Sequence, residues 1–168
     1  TELSLADNAI SALDTGLFVG LNQLETLNLS RNALTSLTAH HQLAGLQSLK
    51  VLNLSSNQIS AISFSSPSSS SSVVSVLPSL TELNLNGNRL SELGAGMFAG
   101  LSAAAGLRQL SLKNNQIERV DSAALAGLAQ LTGLNLNGNR VGQLEPGTFG
   151  ALAALQALNL AHNRLASV

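Results

Sequence analysis

Asparagine recurs at positions 8, 32, 57, 88, 115, 139 and 163, at intervals of 24, 25, 31, 27, 24 and 24 residues, each time inside the same apolar frame. The frames read TELSLADNAI, LETLNLSRNAL, LKVLNLSSNQI, LTELNLNGNRL, LRQLSLKNNQI, LTGLNLNGNRV and LQALNLAHNRL, so the pattern LxxLxLxxNxL appears seven times, its first copy truncated. A fixed period of this length requires stacked supersecondary units, each burying its apolar face against its neighbours.

Within a unit, leucines two apart, such as Leu27 and Leu29, follow the alternation of a strand with one buried face. One strand per turn, with the rest of the unit as the return, forces successive strands to lie parallel, roughly 4.8 Å apart. Only the inner face of such a sheet is covered by the return segments, so the outer face meets solvent or a partner. The returns carry a second frame: Phe18, Leu43, Val74, Leu125 and Phe149 in one column, Leu21, Leu46, Leu77, Leu128 and Leu152 in another. Both are expected to line the convex wall of the core. In the fourth unit the equivalents are Met97-Phe98 and Leu101, with three extra residues before Leu107. The repeated asparagine is expected to be buried at the turn after each strand, its amide donors and carbonyl acceptor pairing backbone groups. The 31-residue interval holds a Ser/Pro-rich insertion over residues 63–72, expected to loop out from the convex or lateral surface.

These motifs resemble the leucine-rich repeat family, and the resemblance spans the whole chain. The FxGL form, seen as Phe18-Val19-Gly20-Leu21 and Phe98-Ala99-Gly100-Leu101, is similar to the 24-residue "typical" class of Toll-like receptor and Slit-type ectodomains. The resemblance implies an α/β repeat fold: a leucine-rich repeat solenoid, a horseshoe arc with a parallel β-sheet on the concave face and irregular or 3-10 convex segments. Residues 1–168 then form a single array of about seven repeats. Animal ectodomains of the family close their ends with cysteine-rich caps. This chain has no cysteine, opens inside a repeat at Thr1 and stops at Val168 before a return segment. An array truncated and uncapped at both ends, part of something longer, is the expectation.

Composition narrows the chemistry. A formal net charge of −1 with 10% charged residues gives no broad attraction to nucleic acid or anionic lipid. No stretch approaches the roughly eighteen apolar residues that would span a bilayer. Of three histidines, His40 and His41 are adjacent in a return segment, without cysteine companions or a regular acidic partner, so no metal site is expected. Serine is abundant but never in a GxSxG context. The glycines of Asn86-Gly87-Asn88 and Asn137-Gly138-Asn139 follow a strand but open no helix and precede no lysine, so they are turn glycines rather than a phosphate loop. Neither a catalytic residue nor a cofactor is expected.

The outward residue between the two inward leucines is Ser4, Asn28, Asn53, Asn84, Ser111, Asn135 and Asn159 in successive units. Tyr and Trp are absent and all four Phe fall in returns, so this concave face lacks the usual anchors of protein interfaces. Its candidate contact residues are Arg31, Lys50, Asn84, Asn86, Arg108, Lys113, Asn135, Asn137 and His162. Asn28-Leu29-Ser30 and Asn53-Leu54-Ser55 fit the N-glycosylation sequon, on adjacent strands. Arg89, Arg140 and Arg164 share the position after the repeat asparagine, a weak basic stripe that either contacts a protein laterally or is simply solvated.

The resemblance implies a non-enzymatic extracellular protein-recognition module, part of a receptor or adhesion ectodomain. Its partner would be a protein ligand, an adhesion partner or another copy, with glycans as additional ligands, and without membrane insertion. A structural building block of an extracellular matrix or filament is the alternative, favoured by the sparse charge and missing aromatics. An intracellular scaffold or regulator would also account for the missing cysteines.

Overall fold

The computed structural model describes residues 1–64, 76–101 and 106–167. Its strands in chain order are β1 (Glu2–Ser4), β2 (Thr26–Asn28), β3 (Ser36–Thr38), β4 (Val51–Asn53), β5 (Ala61–Ser63), β6 (Glu82–Asn84), β7 (Glu92–Leu93), β8 (Gln109–Ser111), β9 (Arg119–Val120), β10 (Gly133–Asn135) and β11 (Ala157–Asn159). One strand from each LxxLxL frame joins a seven-stranded sheet in the order β1-β2-β4-β6-β8-β10-β11. Every pairing is parallel and in register, so Leu3, Leu27, Leu52, Leu83, Leu110, Leu134 and Leu158 form one column. From Leu27 to Leu134 that column is at most 2% exposed. Leu158, with a neighbouring turn on one side only, is 39% exposed.

After each strand the chain turns through a left-handed residue immediately before the repeat asparagine: Asp7, Arg31, Ser56, Gly87, Asn114, Gly138 and His162, all with φ between 53° and 70°. The reading of Gly87 and Gly138 as turn glycines is therefore correct, and five non-glycine residues accept the same conformation at a steric cost. This turn aims each asparagine into the stack. Asn115 Nδ2 donates to the Leu85 and Leu112 carbonyls at 2.9 and 3.0 Å, while its Oδ1 accepts the Leu90 N–H at 3.1 Å. Asn57, Asn88 and Asn139 repeat the arrangement and are, like Asn115, 5–7% exposed. Asn32 and Asn163 are half-buried, and Asn8, in the first turn, is exposed and bonds only the Leu5 and Ala6 carbonyls.

The returns are more ordered than expected. Beyond the asparagine the chain stays extended, and two further parallel pairs form, β3 with β5 and β7 with β9. The physical reason is that Leu37, Ile62, Leu93 and Val120 point into the core, which leaves extended backbone at equal heights on adjacent turns, free to pair. The convex side adds a one-turn helix, Ala39–Gln42, and a 3-10 turn, Ala99–Leu101.

Both convex columns depart from expectation at particular positions: in the first, Phe149 is only half-buried. Leu46, Leu77, Leu128 and Leu152 are buried, but Leu21, in the singly flanked first turn, is 41% exposed. The insertion expected over 63–72 starts later: Ser63 closes β5, and Phe64 is fully buried, its ring stacked on Phe98 at 6.0 Å and its N–H donating to the Met97 carbonyl. Phe64 belongs to the framework because covering its large apolar ring against Phe98 stabilises the fold. The remainder of that segment, and Val74, lie outside the described residues.

Candidate protein-recognition face

The concave face is built by the outward side chains of β4, β6, β8, β10 and β11, which enclose a shallow groove of about 700 Å³. Its polar lining is dominated by carboxamides and a hydroxyl, with Glu82 as its one charged group. The asparagines of this column have a structural duty that their spacing did not reveal. In Asn28, Asn53, Asn84, Asn135 and Asn159 the carboxamide oxygen folds back to accept the N–H two residues on, at 3.0–3.1 Å. Such turns arise because a short Asx side chain can satisfy the backbone donor released at a strand end.

Asn86 is also engaged, its oxygen accepting from Ser111 Oγ at 2.7 Å and from the Lys113 N–H at 2.8 Å. Gly133, at the start of β10, lines the groove floor. A Cβ there would lie 2.1 Å from Gln109 Oε1, so the Gln109 side chain lies over the glycine, held by a 2.9 Å bond from its Nε2 to Thr132 Oγ1.

The candidate charges divide into two groups. Arg31 is bound by Asp7 one turn back, with Nη2 donating to Oδ2 at 2.7 Å, and Lys50 is bound by Glu25. Hydrogen bonds from these cations hold the Asp7 and Glu25 carboxyls below their ordinary values, and the Arg31 guanidinium is raised in turn. Arg31 and His162 both lie in left-handed turns at the rim of the sheet. Among the described residues Arg108 and Lys113 carry no ion pair; both are exposed and flank the two ends of β8. Asn137 is half-buried beside Gly138.

The lateral arginines are not equivalent. Arg140 approaches Glu118 at 3.7 Å, whereas Arg89 and Arg164 are exposed without an ion pair among the described residues. Beside them lies a second hollow of about 500 Å³, with Glu92, Glu118, Asp121 and Glu145 around Arg119. Arg119 donates to Glu92 at 2.9 Å, which raises its guanidinium. Sequence reasoning missed this hollow, although Glu92, Glu118 and Glu145 recur about one repeat apart. His40 and His41 pack ring to ring at 5.1 Å, and no group of three potential metal ligands forms among the described residues. No helix is long and apolar enough to cross a membrane, again among the described residues.

Comparison with known proteins agrees with this architecture. The "Leucine rich repeat" family matches residues 1–59, 78–141 and 105–165, and "Leucine Rich repeats (2 copies)" matches residues 47–95. No curated protein matches the chain. Among solved structures, TLR13 in complex with ssRNA13 is similar at 29% identity and a TM-score of 0.85, over 99% of this chain and 22% of that one. An internalin (inlF) from Listeria monocytogenes is similar at 25% identity and a TM-score of 0.67, over 99% of this chain and 43% of that one. The chain thus spans less than half the length of either. With its asparagine ladder, its seven-stranded parallel sheet and family matches over most of its length, the chain belongs to the leucine-rich repeat family.

Proposed function

We propose that the chain is a non-enzymatic protein-recognition module that binds its partner on the concave sheet, as part of an extracellular receptor or adhesion array. The observation that supports this most directly is the groove across β4 to β11. It is an in-register, hydrogen-bonded surface in which the position before the outward asparagine or serine varies (Val51, Glu82, Gln109, Gly133, Ala157) while the leucine column beneath stays constant. A face already held by strand pairing needs little backbone ordering on binding. The extracellular placement draws on the FxGL repeats and on sequons at Asn28 and Asn53, which pair directly across β2 and β4.

Selection of peptides from a random displayed library tests the recognition face. Binding that is abolished by Asn84→Arg with Asn135→Arg, and retained by the convex change Val19→Ser, is the expected result. Peptides that ignore the concave substitutions would overturn the reading. Expression through a secretory pathway, with intact mass recorded before and after enzymatic deglycosylation, tests the sequons: loss of mass from one or both sites is expected, and an unchanged mass refutes their use.

A single-stranded RNA ligand, which the TLR13 complex holds, finds less support here. The groove offers no aromatic ring for base stacking. A structural role is favoured by one observation, the scarcity of anchors: Phe18, Phe64 and Phe98 are all at most 1% exposed, out of reach of any partner.

A further inference from the structure

Only two asparagines in the chain precede a glycine, Asn86 and Asn137, and both sit in the same stretch, Leu-Asn-Leu-Asn-Gly-Asn-Arg, at 83–89 and 134–140. A glycine in that place leaves its backbone nitrogen open to the asparagine side chain, since no Cβ screens it. The backbones match as well. Gly87 and Gly138 both take the left-handed corner, at φ 63° and 70°, and their N–H groups donate to the next turn, to the Lys113 carbonyl at 2.8 Å and the Ala161 carbonyl at 3.0 Å.

The side chains differ. Asn86 Oδ1 accepts from Ser111 Oγ at 2.7 Å and from the Lys113 N–H at 2.8 Å, across to the turn of β8. Among the described residues the Asn137 carboxamide makes no hydrogen bond, and it is only half-buried. The cause is one residue in the following strand. In β11 the oxygen of Asn159 takes the Ala161 N–H at 3.0 Å. In β8 the same column holds Ser111, whose hydroxyl donates to Asn86, and the Lys113 N–H turns to Asn86 too. Asn86 is thereby pinned between turns, while the Asn137 side chain is free to rotate.

We propose that Asn137 is a site of spontaneous covalent modification, converting to aspartate and isoaspartate through a cyclic imide formed with the Gly138 nitrogen, and that Asn86 is protected. Hydroxide takes the Gly138 N–H proton, the nitrogen attacks Asn137 Cγ, and the side-chain nitrogen leaves as ammonia with a proton from water. Water then opens the ring at Cγ, giving aspartate, or at the α-carbonyl carbon, giving isoaspartate, in which the main chain runs through the former side chain. Attack requires Cγ to swing over the glycine nitrogen, a rotation that breaks both bonds of Asn86 and none of Asn137. Either product places a carboxylate just beyond the end of β10, at the margin of the concave face. Isoaspartate also lengthens the main chain by one carbon shortly before Asn139, whose Nδ2 holds the Leu112 and Leu136 carbonyls at 3.0 and 2.9 Å.

Ageing the natural chain in mildly alkaline buffer, with peptide mapping by mass spectrometry and fragmentation to place each amide-to-acid mass increment, reads both sites at once. Their shared flanking sequence makes the denatured chain an internal control: in guanidinium chloride the two sites should convert at equal rates. In the folded chain Asn137 should convert faster than Asn86 by about tenfold or more, the effect of the two bonds that hold Asn86. Ser111→Asn gives the Lys113 N–H its own turn oxygen and should raise the Asn86 rate to that of Asn137, whereas Asn159→Ser should slow Asn137 toward Asn86. Unfolding midpoints of both variants establish that folded chains are being compared, and should a variant lose its fold, the two sites of the natural chain still decide. Equal rates in the folded natural chain, faster conversion of Asn86, or an Asn137 that stays intact while the denatured chain converts would each overturn the proposal. So would a folded Ser111→Asn chain in which Asn86 reacts no faster than before.

Discussion

Replacing Asn115 by leucine tests the asparagine ladder at its most buried stretch, and the hydrogen-bond pattern sets the size of the effect. The Leu85 carbonyl accepts from both Asn88 and Asn115, and the Leu112 carbonyl from both Asn115 and Asn139. Removing Asn115 therefore leaves each carbonyl one partner. The Leu90 N–H, in contrast, has Asn115 Oδ1 as its acceptor and would be orphaned in the core. An orphaned buried donor costs about 1–3 kcal/mol and each weakened carbonyl roughly 0.5–1 kcal/mol more, which gives about 2–5 kcal/mol in total. At this chain length that corresponds to a fall of about 4–20 °C in the unfolding midpoint. Differential scanning calorimetry is the assay, with Asn8→Leu as the control. Asn8 is exposed and makes only local bonds, so its loss should stay within about 0.5 kcal/mol. Equal midpoints for natural chain and Asn115→Leu, or equal losses for the two variants, would refute the idea that burial and sharing of these amides stabilise the stack.

The left-handed column makes an opposed pair: Gly87→Ala, at φ 63° with only ordinary contacts around its new Cβ, should lose about 1 kcal/mol, while Ser56→Gly, at φ 55°, should gain up to about 1 kcal/mol in urea unfolding. A shift of the same sign in both would show that the corner conformation is not what these residues determine. Gly100→Ala should be more damaging, since its Cβ would meet the Phe64 carbonyl oxygen at 1.8 Å; circular dichroism melts that match the natural chain would show that this approach is not close. The pH response follows from Asp7 and Glu25, whose folded carboxyls lie below their ordinary values through hydrogen bonds from Arg31 and Lys50. Depressed carboxyls stabilise the fold above their unfolded pKa, and this contribution disappears as pH falls below about 4. Both pairs are exposed, so the acid-induced drop in midpoint attributable to them should be small and should shrink further in high salt. Asp7→Asn should reduce it, and an undiminished drop in that variant would place the acid sensitivity elsewhere.

Strand register, the leucine column and the role of the repeat asparagine were legible in the sequence because each is a strictly local rule repeated seven times. A residue's place in the period settles whether it faces inward, and a buried amide at a strand end has few ways to be satisfied. The candidate face was legible as a position but not as chemistry. Spacing placed Asn84 and Asn135 outward, yet only the folded turn shows that their oxygens are engaged at 3.0 Å while, among the described residues, their amide hydrogens are not. Arg31 and Lys50 read as free cations in the sequence because their partners, Asp7 and Glu25, are one turn away along the stack rather than along the chain. The lateral strands and the burial of Phe64 escaped for a related reason, since both depend on what the next turn presents at the same height.

The periodic sequence alone thus determined the coil and its inside, because identical units stack in only one way that buries every leucine column. Which polar atoms remain available to a partner was decided by tertiary structure. Hydrogen bonds and ion pairs between neighbouring turns consume some groups and spare others, and a linear reading has no measure of height along the stack.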